Sequence, residues 1–253
     1  MLHVFAHKKS RLYRRYLSRS ERKESSDRAT QEDEITSMIL GTLDLLPETE
    51  VAKFWLALAA FTPNSSLPPG EATRAEMTFW PGRGQIQPDL LVELFWGSER
   101  RLLLVELKWR SPLSGSDQLH KQWESFLTPT EREIALHLFI GIETGEGYQA
   151  KAQDDVWRGR LCLLNWHHVL YCATYSAKGG SRQFQTWAKH SAHLLGLMGI
   201  TPFLGFKWIV APEAPDLNKR VFWKGSNGIA GLVPPDISEF GNGPVFFTNQ
   251  VKE

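Results

Sequence analysis

Leu102, Leu103, Leu104 and Val105 run directly into Glu106-Leu107-Lys108-Trp109. A strand turns successive side chains to opposite faces, and this one offers a large aliphatic group to both. It therefore predicts a strand enclosed on both sides, which calls for a sheet covered above and below. Glu106 and Lys108 are two apart and share one face of that strand. Charges carried into such a place are costly unless they are paired or bound to an ion.

A second apolar run, Leu90 to Trp96, is preceded by Gln87-Pro88-Asp89. Gly97-Ser98-Glu99-Arg100 reads as the hairpin turn joining it to a strand over residues 101–109. Antiparallel neighbours of this kind bring Asp89 beside Glu106. Two carboxylates and a lysine at one end of a sheet make a site for a hard divalent cation. Magnesium suits it, with manganese as a substitute, since such an ion takes one or two carboxylates and fills its shell with water and phosphate oxygens. The competing reading is a turn-forming Pro-Asp and an edge salt bridge between Glu106 and Lys108.

Around this pair the chain alternates helical and extended patterns. Thr30-Gln31-Glu32-Asp33 predicts a helix start with Thr30 as cap, continuing over 30–46 until Pro47. Ile35, Ile39, Leu43 and Leu46 form its apolar stripe, and Glu32 lies on that stripe one turn earlier. A second helix is expected over 50–61, a first strand over 75–80, and a helix from Ser116 or Asp117 to residue 127. Gln118 and Gln122, four apart on it, share a face. Strands over 133–142 and 160–164 follow, then helices over 166–175 and 181–199. In the last of these Phe184, Trp187, Ala188, Leu194, Leu195 and Leu197 are expected to point inward. Glu76 and the histidines His167, His168, His190 and His193 read as solvated or structural positions. The Trp-, Phe-, Gly- and Pro-rich tail from residue 205 reads as a small β-rich appendage.

Pro88-Asp89 followed by Glu106-Leu107-Lys108 resembles the PD-(D/E)XK phosphodiesterase superfamily. The resemblance covers residues from about 30 to 205. It implies an α/β, restriction-endonuclease-like core with a central mixed sheet flanked by helices, over residues 30–204. A basic arm over 1–29 would precede it and a C-terminal extension over 205–253 would pack on it. It further implies a Mg2+-dependent nuclease, with Asp89, Glu106, Lys108 and Gln118 as catalytic residues and Asp89, Glu106 and Glu32 as metal ligands. Glu32-Asp33-Glu34-Ile35-Thr36 matches the context in which a helix before the sheet supplies a further glutamate, and Glu34 competes for that role. A glutamine on the helix after the lysine is recurrent in the superfamily. The best-known version adds a tyrosine one turn later, where this chain has Gln122. Small nucleases of this kind resemble those of bacterial defence and mobile-element systems, which points to DNA before RNA. An alternative is a catalytically silent nuclease-fold subunit that binds nucleic acid or acts as an adaptor in a larger complex; another is an interaction protein with an accidental acid cluster.

Charge supports a polyanion partner only locally. Residues 1–30 carry nine Lys or Arg against three acids, so they are +6 while the remainder is −5 in a chain of net +1. Lys8, Lys9, Arg11, Arg14 and Arg15 interleave with Tyr13 and Tyr16, a combination that holds phosphates and stacks on bases; with Gln122 they are the expected nucleic-acid contacts. Hydrophobic residues at 42% suffice for a sizeable core. No secretory pattern or spanning apolar run is evident, so a cytoplasmic protein is expected. Cys162 and Cys172 lack metal spacing and read as reduced thiols. No P-loop, dinucleotide fingerprint, serine elbow or His-Glu-x-x-His is present. No base-reading module is evident, so specificity would come from nucleic-acid structure, from partner subunits or from a homodimer.

Overall fold

The computed structural model describes residues 27–62, 67–109 and 111–202, with side chains from residue 32 onward. The expectations for the basic arm up to residue 26, with Lys8, Lys9, Arg11, Arg14 and Arg15, and for the C-terminal extension lie outside the described residues.

The protein is α/β, with a five-stranded mixed sheet flanked by helices. The strands are β1 (Arg74–Phe79), β2 (Leu90–Trp96), β3 (Glu99–Leu107), β4 (Ala135–Gly141) and β5 (Leu161–Asn165), and they lie side by side in that order. The first three form an antiparallel meander, whereas β3, β4 and β5 are parallel. Trp96 pairs with Glu99, so the β2–β3 turn is only Gly97-Ser98, and Gly97 takes φ 65°. The expected four-residue turn is thus shortened, since glycine adopts the left-handed conformation that a two-residue hairpin requires.

From Leu102 to Leu107 every residue of β3 is buried, Glu106 included. One face of the sheet is covered by α1 (Asp27–Leu43), α2 (Glu48–Ala59), α6 (Trp166–Ser176) and α7 (Arg182–Leu197), packed over Leu103, Val105, Leu107, Leu138, Ile140 and Leu164. The other is covered by the two parallel crossovers. The first holds α3 (Gln118–Lys121), which continues into a π-helical turn (Gln122–Phe126), and then α4 (Pro129–Glu133); the second holds α5 (Gly145–Gln153). Right-handed crossovers that advance the same way across a sheet fall on the same side. Leu102, Leu104, Phe139, Trp123, Phe126 and Trp157 fill the space between.

Three expectations are corrected. α1 begins at Asp27, so Thr30 lies within the helix, and it ends at Leu43. Pro47, which disfavours helical backbone in the residue before it, instead opens α2 as its N-cap. Leu197 is 74% exposed at the end of α7. Its inward place is taken by Ile200, which folds back over Gly199 (φ 90°) and donates its amide to Leu195 O at 2.8 Å, a glycine-terminated helix end with its apolar contact. α4 and α5 are elements that hydrophobic spacing does not announce. α5 contains Gly145 and Gly147, poor helix formers. It forms because Gly147 packs so closely on β5 and β4 that a Cβ there would stand 2.5 Å from Leu163 Cδ2 and 3.1 Å from Phe139 Cδ1.

Among the described residues no helix is long and apolar enough to cross a membrane. Cys162 and Cys172 are free and buried, and burial pushes the Cys172 thiol up to about 12.

Gly141 closes β4 where a Cβ would lie 2.5 Å from the Glu143 carbonyl oxygen. Backbone cannot step aside as a side-chain end can, so Gly141→Ala is expected to destabilise the protein by about 1–3 kcal/mol. Urea unfolding should show a lower midpoint with an unchanged slope.

Candidate active site at the end of the central strand

The register that pairs Leu90 with Val105 places Asp89 opposite Glu106 one step further along. Side chains directly opposite on antiparallel strands share a face, with Cβ atoms about 4.5–5.5 Å apart. Asp89 is fixed through both backbone and side chain. Its carbonyl accepts the Trp80 amide at 2.9 Å, and its Oδ2 accepts the Leu107 amide at 2.8 Å. Trp80 makes this contact at φ 47° with its ring buried; a left-handed tryptophan is strained, and its burial offsets that cost.

Glu106 is 1% exposed. Its Oε1 accepts Gln118 Nε2 at 2.6 Å and lies 2.7 Å from Lys108 Nζ, while its Oε2 accepts Gln122 Nε2 at 2.6 Å. The two glutamines that share a face by spacing therefore meet on one carboxylate, Gln118 as the first residue of α3 and Gln122 as the first of the π-helical turn that follows. Such turns widen the helix locally and are frequent at functional sites. Gln118 also accepts the Ser114 amide at 2.7 Å, and Glu146 of α5 accepts the Leu113 amide at 3.0 Å, so the loop after the lysine is tied down at two points.

Lys108 stands just past the strand. Its amide donates to Ile140 O at 2.8 Å, and its carbonyl accepts Trp166 Nε1 at 2.9 Å. Its ammonium bridges Glu106 Oε1 and, at 3.1 Å, Glu32 Oε1. Glu32 is buried with Ile35, Ile39 and Leu43 on the inner side of α1, and its Oε2 accepts the Trp109 amide at 2.8 Å and the Ser111 hydroxyl. The acid on the helix stripe thus reaches the strand end and holds the lysine and the chain beyond it. Glu34 does not share these contacts.

The electrostatics follow from the crowding. Burial first, and the negative charge of Glu106 next, hold the Asp89 carboxyl well above the usual carboxylate range, against the pull of Lys108 and the Leu107 amide. Burial works against the charge on Lys108, but Glu106, Asp89 and Glu32 outweigh it and raise its pKa above that of a free lysine. Lys108 is therefore a fixed cation. Among the described residues three carboxylates face one ammonium, so the acids outnumber the base there.

Among the described residues no three His, Cys, Asp or Glu side chains gather as a complete ligand set. Glu32 is turned onto its three donors. Asp89 and Glu106 retain acceptor capacity: Oδ1 of Asp89 has no hydrogen-bond partner among the described residues, and Oε2 of Glu106 takes one donor where it can take two. A site of one or two carboxylates with excess negative charge fits Mg2+, which brings most of its shell as water.

His137 and Trp157 extend the site, and hydrophobic periodicity does not distinguish either from core. His137 Nε2 lies 3.2 Å from Gln122 Oε1, and Trp157 Nε1 donates to His137 Nδ1 at 2.9 Å. The other candidates stand apart. Glu76 is exposed and paired with Arg74 at 2.9 Å, His167, His190 and His193 are exposed, and His168 caps α6 with Asn165. No protein-family model matches the chain, and no curated protein or solved structure shows significant similarity to it.

Because its carboxyl pKa is raised in the folded protein, Asp89 contributes stability when protonated, and that contribution is lost as pH rises through its folded-state pKa. Asp89→Asn keeps an acceptor for the Leu107 amide and removes the charge. It should raise the denaturation midpoint at pH 7, and the gain should vanish below about pH 4, where the unfolded chain also holds the proton. A constant difference across this range would show that the effect is not electrostatic.

Proposed function

We propose that this protein is a metal-dependent phosphodiesterase acting on nucleic acid, DNA in the first place, and built on a PD-(D/E)XK, restriction-endonuclease-like core. The observation that carries the reading is the convergence of Asp89, Glu106 and Lys108 at one end of β3, where among the described residues the acids outnumber the one ammonium. A structural ion pair needs one acid for one base. A net negative pocket around a fixed cation suits a divalent ion and a phosphate arriving together. The element order supports the reading too: a helix carrying Glu32, an antiparallel meander carrying Asp89 and Glu106, a helical crossover carrying Gln118 and Gln122, and a parallel strand.

Asp89 and Glu106 would hold Mg2+ or Mn2+, which when bound acidifies water and offsets charge on the phosphoryl oxygens. The residues of the chain do the rest. Lys108 stays protonated, so it serves as a fixed donor to a phosphate oxygen or the attacking water, and not as a general base. Glu32 keeps that ammonium in place by accepting from it and from Trp109 N–H. Gln118 holds Glu106 from the crossover side. The nucleic-acid backbone would approach from the open side of Asp89, which keeps part of its surface accessible.

Supercoiled plasmid and structured RNA, each incubated with Mg2+ or Mn2+ and with EDTA, test this. Cleavage should require the ion and be lost in Glu106→Gln. Lys108→Met should lower the rate by roughly 10²- to 10⁴-fold with a smaller effect on nucleic-acid binding. Cleavage that persists in EDTA, or in Glu106→Gln, would defeat the proposal; binding without cleavage would indicate a silent adaptor.

A further inference from the structure

The carboxylate at the centre of the site is joined to Trp157, in the core between the sheet and the crossovers, by a chain of hydrogen bonds with only one possible direction. Indole N–H donates and never accepts, so Trp157 Nε1, 2.9 Å from His137 Nδ1, requires Nδ1 to be the bare nitrogen of the ring. A neutral imidazole then carries its proton on Nε2, which faces Gln122 Oε1 at 3.2 Å and donates to it. The amide of Gln122 is thereby turned so that its NH2 group meets Glu106 Oε2 at 2.6 Å. A flipped amide would place its oxygen against the carboxylate and its NH2 against the ring N–H, two repulsions in a buried space.

The surroundings keep this polarity in force. His137 is fully buried, with its ring parallel to Trp123 at 6.1 Å between centroids. Burial first, and the nearby His120 next, push its pKa down to about 3, so the ring is neutral around pH 7. Gln122 is 2% exposed.

We propose that His137, oriented by Trp157, is a positioning residue that sets the Gln122 amide and through it the Glu106 oxygen left open to a metal ion. The proposal rests on the reading of Asp89 and Glu106 as metal ligands. Gln118, held by the Ser114 amide, secures the other oxygen without this chain, so the two halves of Glu106 are fixed independently. Partners that orient a ligating group are commonly worth 10- to 100-fold in metal affinity.

Nitrogen-15 NMR of the metal-free protein reads the chain directly. His137 should show a bare Nδ1 and a protonated Nε2, and the Gln122 side-chain amide should give two well-separated, slowly exchanging proton signals. The opposite tautomer would overturn the proposal at once. In His137→Leu the Gln122 signals should converge and exchange faster, and Mn2+ affinity should fall by about 10- to 100-fold. His137→Gln, which offers one acceptor and one donor, should recover most of the loss. If His137→Leu does not fold, Trp157→Phe removes only the first donor and should release the tautomer with the same effect on Gln122. An unchanged Gln122 amide in either folded variant overturns the proposal, as does a loosened amide with unchanged Mn2+ affinity. If the wild-type protein binds no Mn2+, the metal-ligand reading fails, and the role of His137 toward a metal falls with it. An intact NMR pattern would then leave His137 only holding the Glu106 carboxylate.

Discussion

The burial of Glu106 is the constraint to which the rest of the structure answers. A carboxylate with almost no contact with water, inside a strand of leucines and valine, carries a desolvation cost of several kcal/mol even after relaxation. Three donors offset it, Lys108, Gln118 and Gln122, each 2.6–2.7 Å away. Charge-assisted bonds of this length are the strong ones. Lys108 and Gln118 share Oε1, whereas Gln122 is the one side chain of the three that meets Oε2, so its removal leaves a buried acceptor without that donor.

Those donors come from separate parts of the chain, so holding one carboxylate ties both layers of the protein to the central strand. Gln118 and Gln122 belong to the crossover on one face of the sheet. Lys108 is braced by Glu32 of α1 and by the Trp166 indole of α6, both from the other face. Asp89 arrives along the sheet from β2 and ties its side chain to the β3 backbone. The arrangement is rigid because each group is held at more than one atom. Burial first, and the charge of Glu106 next, hold the Asp89 carboxyl above its ordinary range within it.

Much of this was legible from residue order. The aliphatic run before Glu106 specified a strand closed on both faces, and Glu106 and Lys108 two apart specified a shared side. Glu32 at helical spacing from Ile35 and Ile39 pointed to a buried acid on α1, and four-residue spacing put Gln118 and Gln122 together. His137 was not legible. It stands among Leu136, Leu138 and Phe139, where a strand residue is read as core, and only its contact with Gln122 distinguishes it. α4 carried a readable signal in Thr128 and Glu131, whose capping box the structure contains. α5 carried none, because it depends on the absence of a Cβ at Gly147 against two residues from other strands.

The sequence by itself determined the five strands, most of the helices, most of the apolar faces and which charged residues enter the core, because periodicity and the cost of burying charge act within a few residues. Tertiary structure alone decided which oxygen meets which donor. Whether Glu32 turns to Lys108, whether two glutamines converge on one carboxylate, and which nitrogen of His137 carries the proton all depend on contacts between residues 12 to 77 positions apart. Hydrogen-bond direction is a property of the assembled neighbours, and no stretch of chain holds it before they meet.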